Sequence, residues 1–216
     1  MIKILEEKNL FFQNDPTFLK YFDDKKKSKK EKKKFEELTV LLQEFGNKVY
    51  KGKACDEAIL PPEYRSVGYL DHYGYYVITD ADRGYRNVTA LGEDTKEAFQ
   101  NLIIDILFTR SIKEEVKKRP QLQQNYTKRF KGREYFGCLY YAENALDQWN
   151  KYYKGKIPKK IITYYEDYLN SIWWTEENDI VWDFQPSTKQ FDIKKPEKKK
   201  KIEKKKKGHA VLKGAA

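Results

Sequence analysis

Cysteine is scarce in this 216-residue chain. The two present, Cys55 and Cys138, lie far apart and form no CxxC arrangement. A disulfide scaffold needs more than that, so a reducing compartment is expected. Histidine is equally scarce. His209 lies in a lysine-rich tail, which leaves His72 as the one histidine expected in the core. No paired-histidine metal site can be assembled from the fold, and neither a metal nor a cofactor is expected. No stretch approaches the roughly 20 apolar residues of a membrane-spanning helix. The opening "MIKILEEKNLFF" puts acids where a signal peptide needs an unbroken apolar run, so a cytoplasmic protein is expected. There is no GxxxxGK[ST] and no GxGxxG after a strand, hence no phosphate cradle. The lysine-rich ends contain no arginine, which argues against a sequence-specific nucleic-acid module there. What remains for them is nonspecific electrostatic attraction to nucleic acid.

What the chain does have is aromatic residues and charge. Aromatics make up 15 % of it, with 17 tyrosines and 12 phenylalanines, and charged residues 36 %. That aromatic content favours a folded core over global disorder. The net charge is +11, but it is unevenly spread. Residues 1–34 hold eleven lysines against six acids, and residues 194–216 hold eleven against two, which leaves residues 35–193 at −3. Three parts are therefore expected. These are an aromatic and lysine-rich segment over 1–34, whose Lys25–Lys34 block is either a solvated linker or the exposed start of the next helix, a mildly acidic domain over 35–193 and a disordered lysine-rich tail over 194–216.

Within the domain, Phe35, Leu38, Leu41, Leu42 and Phe45 recur at steps of three and four, which predicts a helix with Gly46 as its stop. "SVGYLDHY", "YYVITD" and "YRNVTAL" read as three short strands divided by Gly74 and Gly84, an antiparallel meander. Asp94 and Glu97 have capping-box spacing ahead of Ala98, Phe99, Leu102, Ile103, Ile106 and Leu107. The resulting helix should lie on the sheet and end at or before Pro120. A further helix is expected over Glu134–Tyr153, ended by Gly155, and another from Pro158. The fold class is α+β, a small antiparallel β-meander packed against several helices, with disordered lysine-rich arms.

Candidate sites are few. In "TDADRGY", Asp80 and Asp82 form a carboxylate pair beside Arg83. Such a pair suits acid–base chemistry, yet aspartates that bond turn backbone and a glycine of positive φ describe a hairpin tip just as well. The tip is read as a turn that touches a partner. A Cys–His pair of Cys138 or Cys55 with His72 is set against a small buried cysteine in "YFGCLYY", and the inert reading is preferred. "SIWWTEENDIVWDFQP" combines Trp173, Trp174 and Trp182 with Glu176, Glu177, Asp179 and Asp183. Aromatic anchors among acids suit a surface for a basic protein. The competing reading packs the tryptophans into the core and leaves the acids in water.

The stretch from "LPPEYRSVGYLDHYGYYVITDADRGY" to "LIIDILFTRSIKEE" resembles the core of bacterial polymorphic-toxin immunity proteins, specifically immunity protein family sixty-three. The likeness lies in a proline-bearing lead-in, a glycine–aromatic strand with an arginine–glycine turn, and an acid-led amphipathic helix. "NYTKRFKGREYFGCLYYAENALDQWNKYYKGKIPKKIITYYEDYL" is similar to that family's closing helices, so the resemblance covers Leu60–Leu169. It implies a small α+β cytoplasmic antidote without catalytic residues, which binds a cognate toxin domain, often a nuclease, and blocks it stoichiometrically. The expected contacts are Asp80, Asp82, Arg83, Trp173, Trp174, Glu176, Glu177 and Asp179. The lysine-rich segments and Trp173–Phe184 depart from the family pattern.

Overall fold

A computed structural model describes residues 27–50, 65–82, 85–172, 175 and 180–194. The N-terminal aromatic cluster, the "ILPPEY" stretch with Cys55 before it, and the lysine tail beyond Lys194 lie outside the described residues. Four helices and two antiparallel sheets make an α+β fold: α1 (Lys29–Tyr50), β1 (Arg65–Leu70), β2 (Tyr75–Asp82), β3 (Tyr85–Gly92), α2 (Thr95–Arg129), α3 (Gly137–Tyr152), α4 (Lys159–Asn170), β4 (Trp182–Gln185) and β5 (Gln190–Ile193).

Helix α1 begins inside the lysine block. The cause is a capping box: Glu31 N–H donates to Ser28 Oγ at 3.1 Å, and Ser28 N–H donates to Glu31 Oε2 at 2.7 Å. The buried Glu31 also accepts from Asp71 N–H, which ties the helix start to the β1–β2 turn. Lys30 pairs with Asp71 and lies over the Tyr69 ring. The boundary expected after residue 34 therefore falls within α1. Nor does Gly46 stop the helix. It is buried, and α1 runs four residues beyond it while Phe45, Val49 and Tyr50 pack on the core. That packing offsets the roughly 1 kcal/mol cost of an interior glycine.

The three strands form a meander in the order β1-β2-β3, paired Leu70 to Tyr75 and Asp82 to Tyr85. Gly74, at φ +69°, closes the first turn by donating to Leu70 O at 2.8 Å. Val67, Tyr69, Tyr76, Ile78 and Leu91 belong to the main core, while Leu70, Tyr75, Val77, Val88 and Ala90 form a second buried cluster. Alternate residues of the pleat thus feed two clusters, as the near-continuous apolar run "YYVI" requires.

Asp94 caps α2, accepting from Glu97 N–H at 2.9 Å. The helix then runs 35 residues, about 52 Å at 1.5 Å per residue, straight through Pro120. The expectation of an end there is corrected. Proline removes the hydrogen bond to the carbonyl four residues back, here that of Val116. Both residues sit on the solvent side, with Val116 57 % exposed, so water can take up the released carbonyl. Helix α3 starts at Gly137 rather than Glu134 and ends where Gly155, at φ +88°, donates to Asn150 O. Its Trp149, fully buried, meets Phe45 at 5.4 Å and Phe99 at 6.0 Å between ring centroids.

The β4–β5 hairpin is held from both sides by side chains. Asn170 accepts from Trp182 N–H at 2.8 Å and donates to Trp182 O at 3.3 Å, and Glu166 accepts from Phe184 N–H at 3.1 Å. Across the ribbon, Glu143 accepts from Phe191 N–H at 2.9 Å and Arg129 donates to Phe191 O. A lone two-stranded hairpin is marginal in water. These bonds satisfy outward-facing backbone groups that the ladder leaves over, both of Trp182 and of Phe191 and the N–H of Phe184.

Candidate functional site

Of the expected contact residues, the described backbone includes only Asp80 and Asp82. Asp80 and Asp82 lie in the last positions of β2, opposite Asn87 and Tyr85. Arg83, with Gly84, lies outside the described residues, but the pairing of Asp82 with Tyr85 leaves two residues to connect the strands. That is the spacing of a tight hairpin, and it agrees with the turn reading. Trp173, Trp174, Glu176, Glu177 and Asp179 lie outside the described residues as well. Their neighbours Thr175 and Ile180 are buried. Thr175 is fully buried, donates N–H to Ile172 O at 2.8 Å, and its hydroxyl accepts from the Trp182 indole at 3.2 Å. Ile180, also buried, donates back to Thr175 O at 3.0 Å.

For Trp182 the core-packing reading holds: at 2 % exposure it stacks on Phe136 and meets Phe130 edge-on. One sequence expectation needs correction. His72 is no core residue. It stands exposed in the β1–β2 turn, its ring edge-on to Tyr73. Cys138 sits half-buried in α3 beside the Tyr168 hydroxyl, and burial pushes its thiol up, away from the thiolate. Among the described residues no cluster of three or more His, Cys, Asp or Glu could hold a metal, and no helix is long and apolar enough to cross a membrane.

The charge map also changes. Residues 29–34 bring five lysines and one acid into α1, so residues 29–193 carry +1 rather than the −3 of residues 35–193. Within them, residues 113–133 hold eight basic residues and two acids. Neither acid is idle. Buried Glu115 receives Arg119 in a two-pronged bond at 2.9 and 2.8 Å, and Glu114 binds Lys118 and the Tyr140 hydroxyl.

Beside this basic stretch opens a cleft of about 230 Å³ that sequence reasoning missed. The α2 side supplies Leu122, Asn125, Tyr126 and Arg129, the α3 side Tyr135, Leu139, Tyr140 and Glu143, and β5 supplies Gln190. The signal was present. Leu122, Asn125, Tyr126 and Arg129 have helical spacing, hidden by ending the helix at Pro120. Arg129 pairs with Glu143 at 2.8 Å, yet burial still raises the Glu143 carboxyl above its ordinary range. Tyr126 is 5 % exposed and its hydroxyl has no hydrogen-bond partner. Burial pushes that hydroxyl up to about 12 against the opposing pull of Arg133 and Arg129.

No family model, no curated protein and no solved structure matches this chain, so the likeness to immunity proteins stands on the quoted residues alone.

Proposed function

We propose that the chain is an immunity protein that binds a cognate toxin domain, of nuclease type, and neutralises it by covering its active cleft. The reading needs no catalytic residue and no cofactor. The observation that carries it is the fixed footing of the aromatic–acidic segment. Glu176, Glu177 and Asp179 fall between buried Thr175 and buried Ile180, and Trp173 and Trp174 immediately precede the first of these anchors. A segment held at both ends loses less conformational freedom on binding than a free loop of the same sequence. Its tryptophans and acids are the residue types that anchor and steer association with a basic protein. The acid-bearing end of the β2–β3 hairpin, with Asp80, Asp82 and Arg83, is the second contact in this reading. Because residues 29–193 are nearly neutral, the attraction is local to these segments and not a property of the whole domain.

The test is co-purification of the tagged chain from its source cell, followed by charge reversal. A basic toxin domain recovered at a one-to-one ratio supports the reading. Glu176→Lys, Glu177→Lys and Asp179→Lys together should then slow association and flatten or invert its salt dependence. Protection unchanged by all three would remove this segment from the interface.

A further inference from the structure

The outer face of the β-meander is buried, yet no described helix joins it. Val77 is 0 %, Ala90 1 %, Leu70 and Val88 2 % and Tyr75 8 % exposed. With Tyr73 of the turn they form a cluster that holds, among the described residues, strand and turn residues alone. The buried apolar residues of all four helices gather in the other cluster. We propose that this face is a docking surface for the aromatic segment Ile2–Phe22 of the same chain, which covers it as a strap. The inference is independent of the antidote reading.

The sheet cannot bury this face by itself. In a single layer, side chains on an uncovered face stand out into water. Val77 shows this best. Its partners on the two flanking strands are Gly68 and Ala90, which offer a hydrogen and a methyl group at its sides. A valine flanked so thinly is not shut off from water by its own sheet, yet none of it is exposed. Thr79, opposite Val88 on the same face, is buried as well. The face measures roughly 10 Å across its three strands and about 13 Å from Tyr75 to Thr79. One short apolar segment is enough to cover it.

Two observations select the occupant. The first is where the amino-terminal chain enters the fold. The Ser28 hydroxyl donates to Asp71 in the β1–β2 turn at 3.3 Å, and Lys30 and Glu31 bind the same residue. Leu70 and Tyr75, both of the outer face, flank that turn. The chain before Ser28 therefore joins α1 at the rim of the buried face. The six residues back to Phe22 reach up to about 20 Å, more than the face is long. The second observation is composition. Between Ile2 and Phe22 lie ten large apolar side chains, four of them phenylalanine. Residues 51–64 offer Ile59, Leu60 and Tyr64 beside two prolines, and residues 195–216 offer Ile202, Val211 and Leu212 among lysines. Residues 173–179 are anchored at the other cluster, through Ile180 and the bond from Trp182 to Thr175. Only the amino-terminal segment combines the apolar area with the right point of entry.

The experiment keeps the full chain and places photoreactive p-benzoylphenylalanine at Phe11, Phe18 or Phe22, one position at a time. After irradiation the monomer is isolated and digested with trypsin. At least one of the three should link to residues 66–83 or 87–96, the tryptic peptides that carry the buried face. Phe18→Ser/Phe22→Ser gives a second readout. It should bind more of an apolar dye than wild type and lose about 6–12 °C of thermal midpoint, the shift for giving up two buried rings in a chain of this size. Crosslinks confined to other peptides, or dye binding and midpoint both unchanged, overturn the proposal. So do crosslinks that appear only in a dimer, which would seat the segment on a second copy. A larger dye gain from Ile59→Ser/Leu60→Ser than from the phenylalanine pair overturns it too, because the α1–β1 link would then be the cover.

Discussion

Between Thr95 and Arg110, helix α2 buries Ala98, Phe99, Leu102, Ile103, Ile106 and Leu107, an apolar stripe against the sheet, α1 and α3. From Ser111 to Arg129 the same helix buries only Ser111, Glu115 and Tyr126. There it is joined to its neighbours through polar groups, with Ser111 accepting from Asn144, Glu115 gripped by Arg119, and Arg129 clamped between Glu143 and the β5 backbone. One continuous helix is thus held by area at one end and by geometry at the other. Apolar burial tolerates small shifts and titrates with nothing. Polar clamps need correct distances and respond to pH.

The largest effect should come from the apolar half. Phe99→Ala removes a ring packed on Phe45, Trp149 and Tyr152, and denaturant unfolding should show a loss of about 3–5 kcal/mol. In the polar half, Arg129→Met keeps the bulk but leaves Glu143 facing Phe191 without its cation. A loss of about 2 kcal/mol at neutral pH is expected, discounted because both side chains are about a fifth exposed. That loss should shrink on acidification. The Glu143 carboxyl is already raised by burial, so a folded state with a protonated Glu143 is favoured as pH falls through its folded pKa.

Glu115 should behave in the opposite sense. Arg119 holds its carboxyl low, so its contribution is present above the unfolded carboxylate pKa and lost as pH falls through the folded value. Thermal midpoints across the acid range separate the two. Glu143→Gln should make the acid-side decline steeper, and Glu115→Gln should make it shallower. Parallel curves would show that neither group is coupled to folding. The smallest effect is at the start of the helix, where Asp94→Ala should cost about 1 kcal/mol by chemical denaturation. A far larger loss would mean that the apolar half depends on its cap, and the contrast between the halves would narrow.

That contrast also explains what could be read in advance. The meander, the Asp94 cap and the stripe from Ala98 to Leu107 depend on neighbours a few residues away, and sequence periodicity shows them. The Ser28–Glu31 box is equally local, but it lay inside a lysine run read for its charge. Pro120 misled because its effect depends on which way the helix faces. The side-chain clamps on β4 and β5 were illegible for a deeper reason. Asn170, Glu166, Glu143 and Arg129 reach the hairpin from three helices, and no spacing rule links residues 129 and 191. The cleft followed the same logic: two of its walls come from helices whose limits shift by several residues from those the sequence suggests. Trp173, Trp174, Glu176, Glu177 and Asp179 could be proposed from composition, while the burial of Trp182 a few positions on shows how little composition says about orientation.

The clamped hairpin has a consequence for how this molecule meets other chains. An open strand edge is a template on which a second polypeptide can be added, as in domain swapping or fibre growth. On β4 that template is occupied at Trp182 and Phe184, and on β5 at Phe191. A visiting strand would first have to displace two carboxylates, an amide and a guanidinium. Strand addition is thereby blocked at these positions, and there the aromatic β4–β5 ribbon is shielded from pairing with copies of itself.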